Sequence, residues 1–271
     1  MASFGGSGRK KKVITPEKRT PVTLADPSAS APTIYTSVTE NTSSVTSQEE
    51  EKKEEQPVTA GDQNCYIYFD CEFTGLRHLT NLISIGLVDS IGRTFYAEVT
   101  DYNRDLIAEE EKDWFNKNIF ANLTNPPTVT SGDHWTLTGT YDAVSVQLLG
   151  WLSEVCGEKN IQFVSDVCHY DFVLLVDLIT RGKGARHLPI SVSPCCYDIN
   201  QDIATSISLE KDGNITEDTP EDYVPLKLAF DVERVQLAKA LSGYEEEGAK
   251  HNSLTDAKVI RAIHRGLWNL N

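Results

Sequence analysis

The chain has 271 residues, 39% apolar and 24% charged, a globular balance with room for one sizeable domain plus extensions. Residues 1–60 hold eight basic and eight acidic side chains, so the other 17 basic and 32 acidic residues carry the whole net charge of −15. Such a domain is a poor general binder of nucleic acid, and any grip on phosphate must come from metal ions or a local basic patch. No run approaches the ~20 apolar residues of a membrane span, so no membrane partner is expected. Met1 to Arg9 lacks the apolar core of a secretory signal, which points to the cytoplasm. The six cysteines form no Cys-x-x-Cys pair and are expected to be reduced thiols.

Residues 1–63 are rich in Ser, Thr, Pro and charge, which predicts a disordered tail and linker. Arg9-Lys10-Lys11-Lys12 within it reads first as a solvated charge run, with a nuclear address or phosphate-binding arm as the sharper alternative. The folded domain is expected over 64–271. The apolar runs Cys65–Glu72, Leu82–Val88 and Thr94–Val99 read as three strands. Their short links, one of them Ser90-Ile91-Gly92-Arg93, predict an antiparallel meander. Helices are expected over Leu106–Asn122, whose acidic first turn suits a helix N-terminus, and over Asp142–Cys156. In the second, Val146, Leu149, Leu152 and Val155 are read as the core stripe. Asn125-Pro126-Pro127 separates the two.

Asn160–Asp166 reads as a fourth strand, followed by a helix from Tyr170 to Arg181 that Gly182 ends. Ile190–Ser193, or the run after it, is the candidate fifth strand. Residues 200–225 look like a polar surface excursion. Helices are then expected over Leu226–Leu241 and from Ser253 to Leu270. Strands first, then alternating helix and strand, imply an α/β fold with a mixed sheet flanked by helices.

The chemistry begins where strand one ends. Asp70 and Glu72 are two residues apart, so they point to one face, about 7 Å apart along the strand. Two acids aimed at one spot resist burial unless a cation lies between them. Hard divalent ions take oxygen ligands of this kind. A lone Asp-x-Glu is more often a solvated strand end, so partners elsewhere decide its meaning. Two are visible. Asp171 begins the apolar stripe Leu174, Leu175 and Leu178, although a first-turn acid also complements a helix dipole. Asp256 lies four before Ile260 and seven before Ile263, on the buried side of the last helix. Ser253-Leu254-Thr255-Asp256 also resembles a capping box, the plainer account of that acid. His251 stands five residues before it.

Together the segments Asp70-Cys71-Glu72-Phe73-Thr74-Gly75-Leu76, Tyr170-Asp171 and His251-x4-Asp256 resemble, in order, the three motifs of the DEDDh (DnaQ-like) 3′–5′ exonucleases of the ribonuclease H-like superfamily. The resemblance covers about residues 64–271. The early spacing, with Leu82–Val88 running into Gly92–Tyr96, looks most like the compact 3′–5′ exoribonuclease branch of bacteria and phages. It implies a ribonuclease H-like sheet and two divalent ions, Mg²⁺ or Mn²⁺. Asp70, Glu72 and Asp256 would hold the first ion. Asp70 and Asp171 would serve the second, and His251 would act as general base. Phe73 and Thr74 would grip the terminal 3′-hydroxyl through backbone groups, and Leu76 would wedge against the last base. The partner implied is the 3′ end of single-stranded RNA or DNA, RNA favoured. A homodimer, and a protein partner for the tail, stay open.

One position departs from the pattern. Many relatives carry Asn a few residues before the second-motif aromatic, and here Asp166 stands there, either a disturbed contact or an additional ligand. Arg181-Gly182-Lys183-Gly184-Ala185-Arg186-His187 is the densest basic stretch, read equally as a phosphate contact or a solvated loop. The four tryptophans are read as core or interface, not base platforms. Two alternatives to the exoribonuclease remain: a DNA proofreading or repair exonuclease, and a non-catalytic interaction module built on a nuclease fold.

Overall fold

The computed structural model describes residues 63–211, 229–245 and 248–269. The expected tail, apart from Gln63, and the Asp212-Gly213-Asn214 stretch lie outside them. Strands β1 (Asn64–Phe73), β2 (Leu82–Asp89) and β3 (Thr94–Val99) form the antiparallel meander. β4 (His134–Gly139) runs parallel to β3, β5 (Asn160–Ser165) parallel to β1, and β6 (Tyr197–Asp198) parallel to β5. The sheet order is β4-β3-β2-β1-β5-β6, so β1 lies inside the sheet with a partner on each side. Helices cover both faces, which is the mixed α/β sheet that the sequence implies.

Alternation along β1 sorts its side chains between those faces. Ile67, Phe69 and Cys71 join Leu87, Phe95 and Phe163 against α2 (Tyr141–Cys156) and α3 (His169–Thr180). Tyr68 faces the other way with Val88 and Val164. There it meets Ala257, Ile260 and Ile263 of the last helix, Ser253–Trp268. By the same period of two, Asp70 and Glu72 follow Tyr68 onto the last-helix face.

Several elements differ from expectation for identifiable reasons. The helix expected over Leu106–Asn122 is broken into 3₁₀ turns at Arg104–Leu106, Glu109–Glu111 and Phe120–Asn122 around a short α1 (Lys112–Asn118). Ile107 and Ala108 are extended there, and Ile107, Phe115 and Ile119 bury together with Ile83. In α2 the buried row is Val144, Leu148, Trp151, Leu152 and Cys156, while Val146 is exposed. A strict spacing of three slips about 60° per step, so Val146 and Val155 lie on opposite sides of the helix. β4 was not foreseen. Ile190–Ser193 gives only the bridge Ile161–Val192, and the fifth-strand pairing falls at β6.

The excursion expected from residue 200 begins instead as α4 (Asn200–Lys211), with Ile203 and Ala204 buried. The helix expected over Leu226–Leu241 breaks at Val232 and Glu233, and α5 covers Arg234–Ser242. Arg234 Nη1 donates to the carbonyls of Ala229 and Val232, which removes them from any continuous ladder. Cys65 and Cys156 form a disulfide between β1 and the end of α2, which corrects the expectation that all six cysteines are thiols.

The last helix, α6 (Ser253–Trp268), docks its first turn on β2. Gly86 pairs with Asp70 across the sheet, and a Cβ on Gly86 would lie 2.3 Å from Leu254 Cα. Ser84, opposite Glu72, meets Ser253 through their hydroxyls at 3.2 Å. Only a bare backbone at residue 86 lets the helix come this close. Gly86→Ala is therefore expected to cost about 1–3 kcal/mol through overpacking. A thermal or urea melt of the purified variant reads this directly, and an unchanged midpoint would contradict the close approach.

Candidate active site

The end of β1, the first turn of α3 and the loop before α6 open into one cavity of about 520 Å³. Asp70, Glu72, Asp171, His251 and Asp256 all line it, as do Phe73 and Leu76. Residues from three distant parts of the sequence thus share one wall. Glu72, His251 and Asp256 form a tighter set, the one group among the described residues whose possible ligand atoms all lie within 4.8 Å of one another. Asp70 and Asp171 border the same space outside that set.

Local structure explains each placement. Asp171 sits in the first turn of α3, and its Oδ1 accepts the Cys71 N–H at 2.9 Å, which ties α3 to β1. Tyr170 stacks on Phe73 with ring centroids 5.8 Å apart. Asn252, not Ser253, caps α6: its side chain accepts from Thr255 N–H at 3.2 Å. Asp256 instead accepts the N–H of His251, the residue before the cap, at 3.0 Å, so the capping box expected over Ser253–Asp256 does not form. His251 has φ 61°, a left-handed conformation uncommon for a side-chain-bearing residue and characteristic of strained functional sites. Polar partners hold it there. Asn252 Nδ2 donates to the Tyr96 hydroxyl and to Asn122 O, Asn122 Nδ2 donates to Lys250 O, and Tyr96 donates to Glu98.

Thr74 is placed differently from the rest. It is fully buried and does not line the cavity. Its N–H donates to Asn81 O, and its hydroxyl accepts the Asn81 N–H and contacts Thr80. Asp166 is also committed. Its carboxylate takes Arg234 Nε at 2.5 Å and Nη2 at 3.1 Å, and Asn200 Nδ2 at 2.6 Å. It borders an adjoining cavity of about 420 Å³ that Asp70, His251 and Asp256 also reach.

Three features of the site escaped the sequence. Trp114 of α1 lines the cavity, 47% exposed, and meets the His251 ring edge-to-face with centroids 5.2 Å apart. The reading of Trp114 as core or interface gave no sign that it would face a site. Arg77 and Glu111 stand at the same cavity and pair with each other. Arg234 neutralises Asp166, a pairing between residues 68 apart that local pattern does not reveal.

Among the described residues no salt bridge neutralises these four acids, and only the Lys250 charge eases Asp256. Burial, then the charges of Asp171, Asp256, Glu72 and Asp166, pushes Asp70 well above its ordinary value. Burial, then Asp256 and Asp171, raises Glu72 from 4.5 to about 8. Burial raises Asp171 from 3.8 to about 7 against the hydrogen bond from Cys71 N–H. It raises Asp256 from 3.8 to about 6 against the His251 N–H. His251 moves the other way: burial, aided by the Lys250 charge, lowers it, which favours the neutral imidazole. Oxygen donors that hold protons this tightly, next to a neutral imidazole, fit a hard divalent cation.

The raised carboxylates fix a sign. Each binds its proton more tightly in the folded chain than in the unfolded one, so stability falls as pH rises. The window runs from about pH 4 up to about 8, set by Asp171, Asp256 and Glu72. Chelator-treated protein should therefore melt lower at pH 8 than at pH 6. Added Mg²⁺ or Mn²⁺ should raise the midpoint more at pH 8, because carboxylates bind metal only when deprotonated. A chelated protein that melts higher at pH 8 would contradict the buried acid cluster.

No protein-family model matches the chain, and no curated protein matches it. Among solved structures it is similar to S. pombe Pop2p in its Mg²⁺- and Mn²⁺-bound form, 14% identical over 73% of this chain and 81% of that one, with a TM-score of 0.39. It is also similar to the Neurospora crassa Pan2 catalytic unit, a protease and nuclease domain, 13% identical over 81% of this chain and 29% of that one, with a TM-score of 0.37. The described helices include none long and apolar enough to cross a membrane.

Proposed function

We propose that residues 64–271 form a metal-dependent 3′–5′ exonuclease that removes nucleoside 5′-monophosphates from single-stranded ends, with RNA favoured over DNA. The observation that carries the reading is the meeting of Asp70, Glu72, Asp171 and Asp256 with His251 around one cavity. Those four acids would hold two divalent cations, Mg²⁺ or Mn²⁺, which when bound stabilise the charge on the attacking and leaving oxygens. His251 takes the proton from the attacking water at a ring nitrogen, a role that needs the neutral imidazole its burial favours. Its backbone N–H orients Asp256, so base and ligand are placed by one hydrogen bond.

Phe73, backed by Tyr170, and Leu76 form the substrate wall on the β1 side. Thr74 supports that wall from behind through Asn81 and Thr80. Trp114 faces the cavity from the opposite element and offers an apolar surface to an unstacked base. The preference for RNA rests on the resemblance of the early elements to the exoribonuclease branch.

Asp70→Asn is expected to abolish Mg²⁺-dependent shortening of a 5′-labelled oligonucleotide, and His251→Ala to lower kcat by about 10²–10⁴-fold. Matched RNA and DNA strands with either end blocked give the polarity and the sugar preference. Unchanged digestion by purified Asp70→Asn would overturn the assignment. Wild-type protein that binds Mn²⁺ yet cleaves no strand would favour the non-catalytic module.

A further inference from the structure

We propose that Arg77 grips a substrate phosphate at the mouth of the acidic cavity and that Glu111 competes for it. The proposal rests on the nuclease reading and adds a specificity-determining pair to it. Asp70, Glu72, Glu111, Asp171 and Asp256 all border the cavity, and Arg77 is the one Lys or Arg among its described lining residues. In a protein of net charge −15, an approaching polyanion needs such a cation. The neighbouring cations stand elsewhere. Arg234 is taken up by Asp166 and Asn200, and Lys250 borders the adjoining cavity.

The backbone places Arg77 for this task. Gly75 has φ 137°, and Arg77 N–H donates to Gly75 O at 2.9 Å, so the chain turns sharply just after β1. A Cβ on Gly75 would lie 3.2 Å from Arg77 Nε, so the arginine folds back over a bare backbone. Its guanidinium then spans to the segment that precedes α1. Nη2 meets Glu111 Oε2 at 2.5 Å, and Nη1 lies 3.4 Å from Leu106 O.

That resting arrangement is easily exchanged. The side chains of Arg77 and Glu111 are 41% and 42% exposed, and ion pairs in such settings add little to stability. A phosphate offers the guanidinium a bidentate, charge-assisted partner. Glu111 therefore holds Arg77 in place when no substrate is present and yields it when a phosphodiester enters. The two residues then have opposite effects on affinity. Loss of Arg77 removes the grip, whereas loss of the Glu111 charge removes the competitor and one repulsive carboxylate. A clamp with only a structural role would make both losses act in the same direction.

The test compares wild type, Arg77→Gln, Arg77→Lys and Glu111→Gln after melting curves show that each variant folds. Binding of a fluorescent single-stranded oligonucleotide is followed by anisotropy in Ca²⁺ over a salt series, and digestion in Mg²⁺ gives KM and kcat. Arg77→Gln should weaken binding and raise KM about tenfold. The magnitude of its salt slope should drop by about one phosphate contact, with kcat nearly unchanged. Arg77→Lys should fall between wild type and Arg77→Gln, and Glu111→Gln should bind more tightly than wild type. Digestion by wild type with both neutral variants shifted the same way, or with Arg77→Gln unshifted, overturns the pair and leaves the nuclease reading intact. Binding without digestion overturns the nuclease reading, and the order of the anisotropy constants still decides the pair. Wild type that neither binds nor digests overturns both.

Discussion

Like charges that are buried together must be neutralised by protons or by cations, and the rest of the fold is arranged around that requirement. Asp70, Glu72, Asp171 and Asp256 border one cavity with their ionisation suppressed by burial in all four, and in Asp70 and Glu72 by repulsion from the others as well. Such a cluster weakens the chain at neutral pH, so the framework that carries it has to be strong. β1 supplies that strength from inside the sheet, with Ile67 and Phe69 fully buried on one face and Tyr68 on the other. The acids sit only at its last turns, where the strand leaves its apolar packing and meets the cavity.

Bringing Asp256 to that point requires a helix end closer to the sheet than ordinary side chains permit. Gly86 provides the gap, and it does so on the strand directly beside Asp70. The α6 stripe of Ala257, Ile260 and Ile263 then locks the helix on the same face as Tyr68. His251, just before the helix, cannot be held by packing alone in a left-handed conformation. The run from Glu98 through Tyr96, Asn252 and Asn122 to Lys250 pins the loop at several points instead. Glu98 is itself buried and accepts from the N–H groups of Thr124 and Asn125, so the network has no loose end there.

The meander and the α6 stripe were legible because their signals are local. Period two along β1 and spacings of four and seven in α6 each place an acid on a known face. Asp70, Glu72 and Asp256 could therefore be grouped from the sequence, and Asp171 from the stripe it begins. What failed depends on distance. β4 does alternate, with Trp135 and Leu137 buried between exposed or half-buried neighbours, but it gains meaning only by pairing with β3. α4 has a weakly apolar composition, and it is Ile203 and Ala204 meeting α6 residues that fix it. Trp114 is read from the sequence as core or interface, and it is the fold that leaves it exposed against His251.

Asp166 illustrates how an additional acid beside the cavity is tied down. An amide there would be neutral, and an acid adds a negative charge beside a cavity already crowded with them. Arg234 binds it through two bonds, and Asn200 completes the carboxylate's partners while accepting from Arg234 Nη2 at 2.7 Å. The pairing commits the Asp166 carboxylate, yet its charge still reaches the cluster and adds to the raising of Asp70, Asp171 and Asp256. The same guanidinium takes the carbonyls of Ala229 and Val232, which is where the expected helix breaks. A single arginine thus links the charge at the end of β5 to the course of the chain before α5. Either partner changed alone would leave a half-buried charge unpaired, so the acid and the arginine have to be read as one unit.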